Sequence, residues 1–186
     1  MKKGKLIVIS GPSGVGKGTV IDEILKSDKK FWKSISLTTR SIRDNEEEGI
    51  NYYYVSLEEF LDNISKDNLL EYAEVYNGCY YGTPKNKVNS MLKKGYDVIL
   101  EIDVEGALNV KKNFNDAILI FIDTPSIEEL EKRLVGRGTE TKEKIDERLN
   151  KAKWELSLKK KYDYVVINHN SKETALQIIE FIDSKK

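Results

Sequence analysis

Gly11, Pro12, Ser13, Gly14, Val15, Gly16, Lys17, Gly18 and Thr19 form one uninterrupted run, the strongest chemical signal in the chain. Glycines let successive backbone N–H groups converge on phosphate oxygens without side-chain clashes. A helix opening at that point adds the positive end of its dipole, and Lys17 adds a full charge. The run follows an apolar segment and precedes a helix-period one, the setting of a phosphate-binding loop. A glycine-rich turn without a ligand is the plain alternative. One position departs from the usual pattern: the hydroxyl residue expected directly after the lysine is Gly18, and a hydroxyl returns at Thr19. A magnesium contact from Thr19 would then be shifted or water-mediated.

Such a loop specifies a nucleotide phosphate and leaves the reaction open. Leu100-Glu101-Ile102-Asp103 ends an apolar run, where a magnesium-organising carboxylate belongs. A pair of solvated strand-end acids has the same signature. Asp103-Val-Glu-Gly106 also fits the DxxG of GTPases. The guanine-reading Asn-Lys-x-Asp that should follow has only Asn86-Lys87-Val-Asn89 as its counterpart, which precedes the strand and lacks the aspartate.

The elements that must position these residues alternate in type. Lys5 to Ser10, Asp97 to Asp103, Ala117 to Asp123 and Tyr164 to Ile167 read as buried strands, and Ser34 to Thr38 as a further one. Thr19 to Lys26 reads as a helix with Val20, Ile21, Ile24 and Leu25 on one face. Ser126 with Glu129 fits a capping box before Ile127, Leu130 and Leu134. Thr141 to about Lys160 carries Ile145, Leu149, Ala152 and Leu156 on one stripe. A last helix starts near Ser171 and buries Ala175, Ile178, Ile179 and Ile182. This alternation predicts an α/β fold with a parallel sheet. Arg40 to Pro84 breaks it. Tyr52 to Val55 and Leu69 to Val75 read as strands, and Ser56 with Glu59 forms a capping box leading Leu57, Phe60, Leu61 and Ile64 into a short helix. The stretch is expected to be a small α+β insertion. Asp44 to Glu48 reads as a solvated acidic loop.

Composition narrows the class. With 186 residues the chain reads as one domain, and its 31 basic and 31 acidic residues give zero net charge, against a dedicated nucleic-acid binder. The single cysteine, Cys79, excludes an intramolecular disulfide, and the single histidine, His169, leaves little room for a histidine metal cluster. The longest apolar run, Ala117 to Ile122, is far short of the ~18 residues of a membrane helix. Leu6 to Ile9 is too short for a signal-peptide core. A cytoplasmic location is expected.

The insertion carries the most specific pattern. Ser36-Leu-Thr38-Thr39-Arg40-Ser-Ile-Arg43 leads to Gly49 and Tyr52, then Glu71-Tyr-Ala73 and Tyr80-Tyr81-Gly82-Thr83. Glu101-Ile-Asp103-Val-Glu-Gly106-Ala107 and Arg133-Leu-Val-Gly-Arg137-Gly-Thr-Glu-Thr141 follow. In order and spacing the chain resembles the guanylate kinase family from Leu6 to Ile182. The resemblance implies a P-loop NTPase fold with a parallel-sheet core (about 1–37, 84–125 and 162–186), a GMP-binding insertion (about 38–83) and a helical lid (about 126–161). It implies ATP + GMP ⇌ ADP + GDP with Mg²⁺, by a monomer or weak homodimer with no nucleic-acid or membrane partner.

Carried over residue by residue, the resemblance makes Arg40 and Arg43 the clamp on the GMP phosphate, where guanidinium forks suit phosphate oxygens. Tyr52 and Tyr81 match hydroxyl donors to the same phosphate; half-buried packing is their alternative. Glu71 matches the guanine reader, a carboxylate whose two acceptors face the adjacent N1–H and 2-amino donors. Ser36 and Thr83 match hydroxyls near the guanine O6/N7 edge, although Thr83 precedes Pro84 and could cap a helix. Glu101 and Asp103 also fall on the GMP side. Lys17, Arg133, Arg137 and Arg148 match the charges gathered on the ATP phosphates, and Asn168 a residue near the adenine. Lys144 and Lys151 read as a solvated stripe, and Glu105 stands where relatives commonly have glutamine. A non-catalytic, peptide-binding module of the same fold is the rival; such modules lose loop or lid residues, whereas Lys17, Arg137 and Arg148 are present.

Overall fold

The computed structural model describes residues 2–76, 78–135 and 142–185. Among the described residues are nine strands: β1 (Leu6–Ser10), β2 (Phe31–Lys33), β3 (Leu37–Thr38), β4 (Tyr53–Tyr54), β5 (Leu69–Tyr76), β6 (Cys79–Pro84), β7 (Asp97–Glu101), β8 (Ile118–Asp123) and β9 (Tyr164–Ile167). The helices are α1 (Lys17–Leu25), α2 (Leu57–Ser65), α3 (Lys85–Lys93), α4 (Val104–Asn113), α5 (Ile127–Val135), α6 (Lys142–Ser157) and α7 (Ser171–Ser184), with a 3₁₀ turn at Lys159–Lys161. The strands form a five-stranded sheet, ordered β2-β7-β1-β8-β9, and a four-stranded sheet, ordered β4-β3-β6-β5. The chain divides into two compact units, Met1–Leu6 with Lys30–Leu100 and Leu108–Ala117, and Ile7–Lys29 with Glu101–Ala107 and Ile118–Lys186. No helix among the described residues is long and apolar enough to cross a membrane.

In the second unit β1 pairs parallel with β8 (Ile7 opposite Ile118) and β8 with β9 (Ile120 opposite Tyr164). Every residue of β1 and β8 is buried, as expected of parallel strands covered on both faces. α1 buries Val20, Ile21 and Ile24, and α7 buries Ala175, Ile178, Ile179 and Ile182. Leu25, on the same face, ends α1 at 37% exposure, on the rim of the stripe. Leu130, Leu134 and Ala152 join α5 to α6. Half of the expected capping box forms there: Ser126 Oγ accepts from the Glu129 N–H at 3.2 Å, while the Glu129 carboxylate takes Nε of Arg133.

In the first unit β2 pairs parallel with β7. In the smaller sheet β3 runs parallel to β4 and antiparallel to β6, and β6 is antiparallel to β5. The strand expected over Ser34 to Thr38 is corrected: only Leu37–Thr38 is a strand, and Ser34 to Ser36 link it to β2 of the other sheet. Between them the Ser34 N–H donates to the Ile99 carbonyl and the Ser36 carbonyl accepts from Tyr53 N–H, both at 2.9 Å, so the chain changes partners mid-run. The Ser56/Glu59 box is complete. Its helix buries Phe60, against Leu37 and Leu69, with Ile64 packed alongside. Leu57 and Leu61 of the same helix are exposed. Phe60/Ile64 and Leu57/Leu61 are two i,i+4 rows about 60° apart, and the core of this unit covers the Phe60/Ile64 row.

Candidate functional site

The phosphate loop connects β1 to α1. Gly11 has φ +150°, and a Cβ there would lie 2.2 Å from the Ile122 carbonyl oxygen of β8, so only a hydrogen fits. Gly16 precedes α1 in the left-handed region at φ 93°, which lets the chain turn from loop into helix. The first turn of α1 has no acidic residue and its N-terminus no side-chain cap, leaving the positive end for an anion. Lys17 Nζ donates to the carbonyls of Gly11 (2.6 Å) and Pro12 (3.0 Å), folding the ammonium back over the loop.

Three further residues converge on this loop. Asn168 is buried; its Nδ2 donates to the Val15 carbonyl at 2.8 Å and its Oδ1 accepts from Thr174 Oγ1 at 3.1 Å. Arg133 approaches the carbonyls of Val15 and Asn168, each at 3.4 Å, while Glu129 holds its Nε at 3.1 Å. Arg148 Nη1 donates to Ser13 Oγ at 3.2 Å. Lys17, Arg133, Arg148 and Asn168 therefore surround one loop; Arg137 lies outside the described residues.

The acidic groups lie on the same unit. Ser10 Oγ donates to the carbonyls of Ile102 (2.7 Å) and Asp103 (3.1 Å), tethering the acidic segment to the strand that leads into the loop. Asp103 Oδ1 accepts from the Gly106 N–H at 2.9 Å, and its Oδ2 is 3.9 Å from Lys151 Nζ. Lys151, expected on a solvated stripe, is thus an ion-pair partner of Asp103. A Cβ at Gly18 would lie 3.8 Å from Glu101 Oε1, so that carboxylate overhangs the first turn of α1. Thr19 is exposed on the same helix. No group of three metal-ligating side chains exists among the described residues. Magnesium needs only one or two carboxylates when substrate phosphates and water complete its shell, so Thr19, Asp103 and Glu101 fit that donor set. Glu155 of α6 was not anticipated. Burial pushes its carboxyl up to about 7, against the pull of Lys17 and Lys151 and with the push of Asp103 and Glu105. Its spacing from Arg148 and Lys151 along α6 is the signal that places it on their face.

The first unit holds a second polar cluster. Arg40 Nη1 and Nη2 each donate to Glu46 at 2.8 Å, a two-pronged ion pair. Arg40 Nε donates to the Tyr81 hydroxyl at 3.1 Å, and its Nη1 also to the Ser41 carbonyl at 2.7 Å. The guanidinium lies 5.3 Å from the Tyr52 ring centre and 5.8 Å from that of Tyr54. Tyr52 meets Tyr81 edge to face at 5.6 Å. Glu46 also accepts from the Tyr54 hydroxyl (2.8 Å) and the Arg43 N–H (3.0 Å). The Arg40 bonds chiefly, with Tyr54 and Arg43, hold its carboxyl down to about 2 against burial. The solvated-loop expectation for Asp44 to Glu48 is therefore corrected at Glu46, whose side chain is only 15% exposed. Three consecutive glutamates, 46 to 48, give no sequence signal as to which one turns inward. The Arg43 side chain is exposed.

On the same unit the buried Thr83 hydroxyl donates to Glu71 Oε1 at 2.6 Å. It does not cap α3, whose N-cap is Pro84 without a side-chain bond. Glu71, with Leu70, Tyr72, Lys85 and Asn109, lines a cavity of about 780 Å³, in the size range of small-molecule sites. Ser36 is half-buried where the chain passes from β2 to β3.

Comparison with known proteins gives one consistent result. The guanylate kinase family model matches residues 3–185. The chain is 52% identical over 186 residues to a guanylate kinase of Clostridium tetani (strain Massachusetts / E88), covering all of this chain and 88% of that one. It is 48% identical over 180 residues to a guanylate kinase of Prochlorococcus marinus subsp. pastoris, covering 97% of each. A crystal structure of guanylate kinase from Anaplasma phagocytophilum is similar at TM-score 0.82 and 35% identity, over 99% of this chain and 87% of that one.

Proposed function

The chain belongs to the guanylate kinase family, and we propose that it transfers the γ-phosphoryl group of ATP to GMP, giving ADP and GDP. The observation that carries the choice of acceptor is the Thr83–Glu71 pair. A carboxylate with one oxygen fixed by a neutral hydroxyl is oriented to accept from two adjacent donors. Guanine offers N1–H and the 2-amino group; adenine lacks the latter.

On the ATP side, the loop from Gly11 to Thr19 takes the phosphates, Lys17, Arg133, Arg137 and Arg148 balance their charge, and Asn168 lies near the adenine. On the GMP side, Arg40, Arg43, Tyr52 and Tyr81 take the phosphate, and Glu71, Ser36 and Thr83 the base, with Glu101 and Asp103 nearby. Magnesium, bound with ATP, supplies charge neutralisation at the phosphates; Asp103 and Thr19 would hold it, directly or through water. No protein base is required. The acceptor is a phosphate oxygen whose second pKa is roughly 6, so it is already ionised at neutral pH. The protein's work is alignment and electrostatic stabilisation. The proposed division of labour is a core of about 1–37, 84–125 and 162–186, a GMP-binding insertion of about 38–83 and a lid of about 126–161. We further propose a cytoplasmic monomer or weak homodimer; zero net charge supports the absence of a nucleic-acid partner.

A coupled ADP-release assay with GMP, AMP, UMP and dTMP as acceptors tests the reading. ADP release with GMP alone is expected. A folded protein that releases none with GMP would instead be a non-catalytic module of this fold.

A further inference from the structure

The guanidinium of Arg40 has two usable faces, and they are occupied differently. The end-on face, Nη1 and Nη2, is taken by the two oxygens of Glu46 at 2.8 Å. The second Nη1 proton goes to the Ser41 carbonyl. Among the described residues the side-on edge, Nε and Nη2, meets only the Tyr81 hydroxyl, through Nε–H at 3.1 Å. One Nη2 proton therefore remains on that edge. Tyr81, accepting from Nε–H, keeps its own proton to donate outward.

We propose that Glu46 is a positioning residue for Arg40, occupying the end-on face so that the Nε/Nη2 edge, beside the Tyr81 hydroxyl, is the edge that meets the acceptor phosphate. The inference rests on the reading that Arg40 binds the GMP phosphate. Two opposing effects have to be weighed. A carboxylate beside a phosphate site repels the incoming dianion. The same carboxylate fixes a long side chain whose rotamer freedom is worth about 2 kcal/mol before any ligand arrives. Preorganisation wins because Glu46 is itself fixed from elsewhere: the Tyr54 hydroxyl and the Arg43 N–H hold Oε2 at 2.8 and 3.0 Å, independently of Arg40. A carboxylate that merely stood in for phosphate and left on binding would abandon those two bonds as well. The depressed Glu46 pKa agrees with a partner charged across the working pH range.

Calorimetric titration of GMP and of guanosine separates the possibilities, with wild type, Glu46→Gln, Arg40→Ala and the double variant. Glu46→Gln keeps the shape and removes the charge. It should weaken GMP roughly tenfold while guanosine affinity and KM for ATP stay within about twofold. In the Arg40→Ala background it should cost nothing further. Tyr54→Phe, which loosens Glu46 without touching Arg40's charge, should weaken GMP in the same direction by less, and decides the matter if Glu46→Gln does not fold. Unchanged or tighter GMP binding in Glu46→Gln overturns the proposal, because Glu46 would then be a competitor for Arg40. So does an equal loss for guanosine, or an equal loss without Arg40, either of which marks a merely structural role. Wild type binding GMP and guanosine equally would instead remove the underlying reading that Arg40 holds the phosphate.

Discussion

The hydroxyl of Thr83 on β6 donates to Oε1 of Glu71 on the neighbouring strand β5 at 2.6 Å, and both side chains are buried. The Thr83 proton is thus directed at the carboxylate, so Thr83 also orients Glu71 toward a bound base. Glu71→Gln sets an amide donor against guanine donors, a mismatch worth about 1–3 kcal/mol. GMP kcat/KM should fall roughly 5- to 150-fold, with KM for ATP unchanged. Thr83→Val, which removes one bond to Glu71, should cost roughly tenfold, and Thr83→Ser should restore activity. Steady-state kinetics with both substrates varied reads this out. Full GMP efficiency in Glu71→Gln would dismiss Glu71 as the base reader.

The charges around the loop are predicted to act on turnover rather than on folding. Arg148 makes a part-buried 3.2 Å bond to Ser13, a contact worth about 1 kcal/mol to folding. An arginine that stabilises a phosphoryl-transfer transition state contributes roughly 10³-fold or more. Arg148→Ala should therefore lower kcat by about that factor with little change in melting temperature. Lys17→Ala should also lower kcat, with a further loss in ATP affinity, since its ammonium sits over the loop. Single-turnover quench-flow measures the chemical step, and wild-type rates in Arg148→Ala would remove α6 from it.

What the sequence makes legible follows from how strongly each segment must be buried. β1 and β8 stand out because strands covered on both faces need unbroken apolar runs, and β9 by its apolar run although Val165 and Ile167 are exposed. α3 does not stand out: it buries only Val88 and Leu92 amid lysines and asparagines, so its period rests on a single i,i+4 pair. The break at Ser34–Ser36 is invisible for the opposite reason, since nothing in that run marks a change of sheet. In the sites, residues of distinctive type stand out, such as Lys17 among glycines and Arg40 before Arg43. Glu46 and Glu155 are two acids in a chain with 31. Only tertiary contacts, with Arg40 for one and burial near Lys17 for the other, distinguish them.

Glu155 predicts a pH dependence of stability. Its carboxyl titrates at about 7 in the folded protein against an ordinary value of 4.5. Between those values the native state binds more protons than the unfolded chain, so this group's contribution is complete below 4.5 and is lost as pH rises through 7. The difference of about 2.5 units corresponds to about 3 kcal/mol. Glu155→Gln stays neutral throughout. Relative to wild type it should therefore gain up to that amount between pH 4.5 and pH 8, in urea unfolding without nucleotide and with a chelator present. A difference between the two proteins that does not vary with pH would show that Glu155 ionises normally.

A mechanism without a protein base makes a last prediction, at the chain's single histidine. His169 follows β9, is exposed, and its backbone N–H donates to the Ile167 carbonyl at 3.2 Å. Histidine is the side chain that ordinarily moves protons near neutral pH. The proposed nucleophile, however, is a phosphate monoester oxygen with a pKa of roughly 6, already deprotonated at pH 7.5. There is no proton for an imidazole to remove. Arg40, Arg43, Tyr52 and Tyr81 need only hold the dianion for in-line attack. His169→Gln should thus retain kcat within about threefold, under 1 kcal/mol in the barrier. The kcat–pH profile should fall on the acid side near the phosphate's own pKa in wild type and variant alike. A folded His169→Gln protein with kcat down ~100-fold, about 2.7 kcal/mol of lost transition-state stabilisation, would mean that a proton does have to be moved and that His169 moves it.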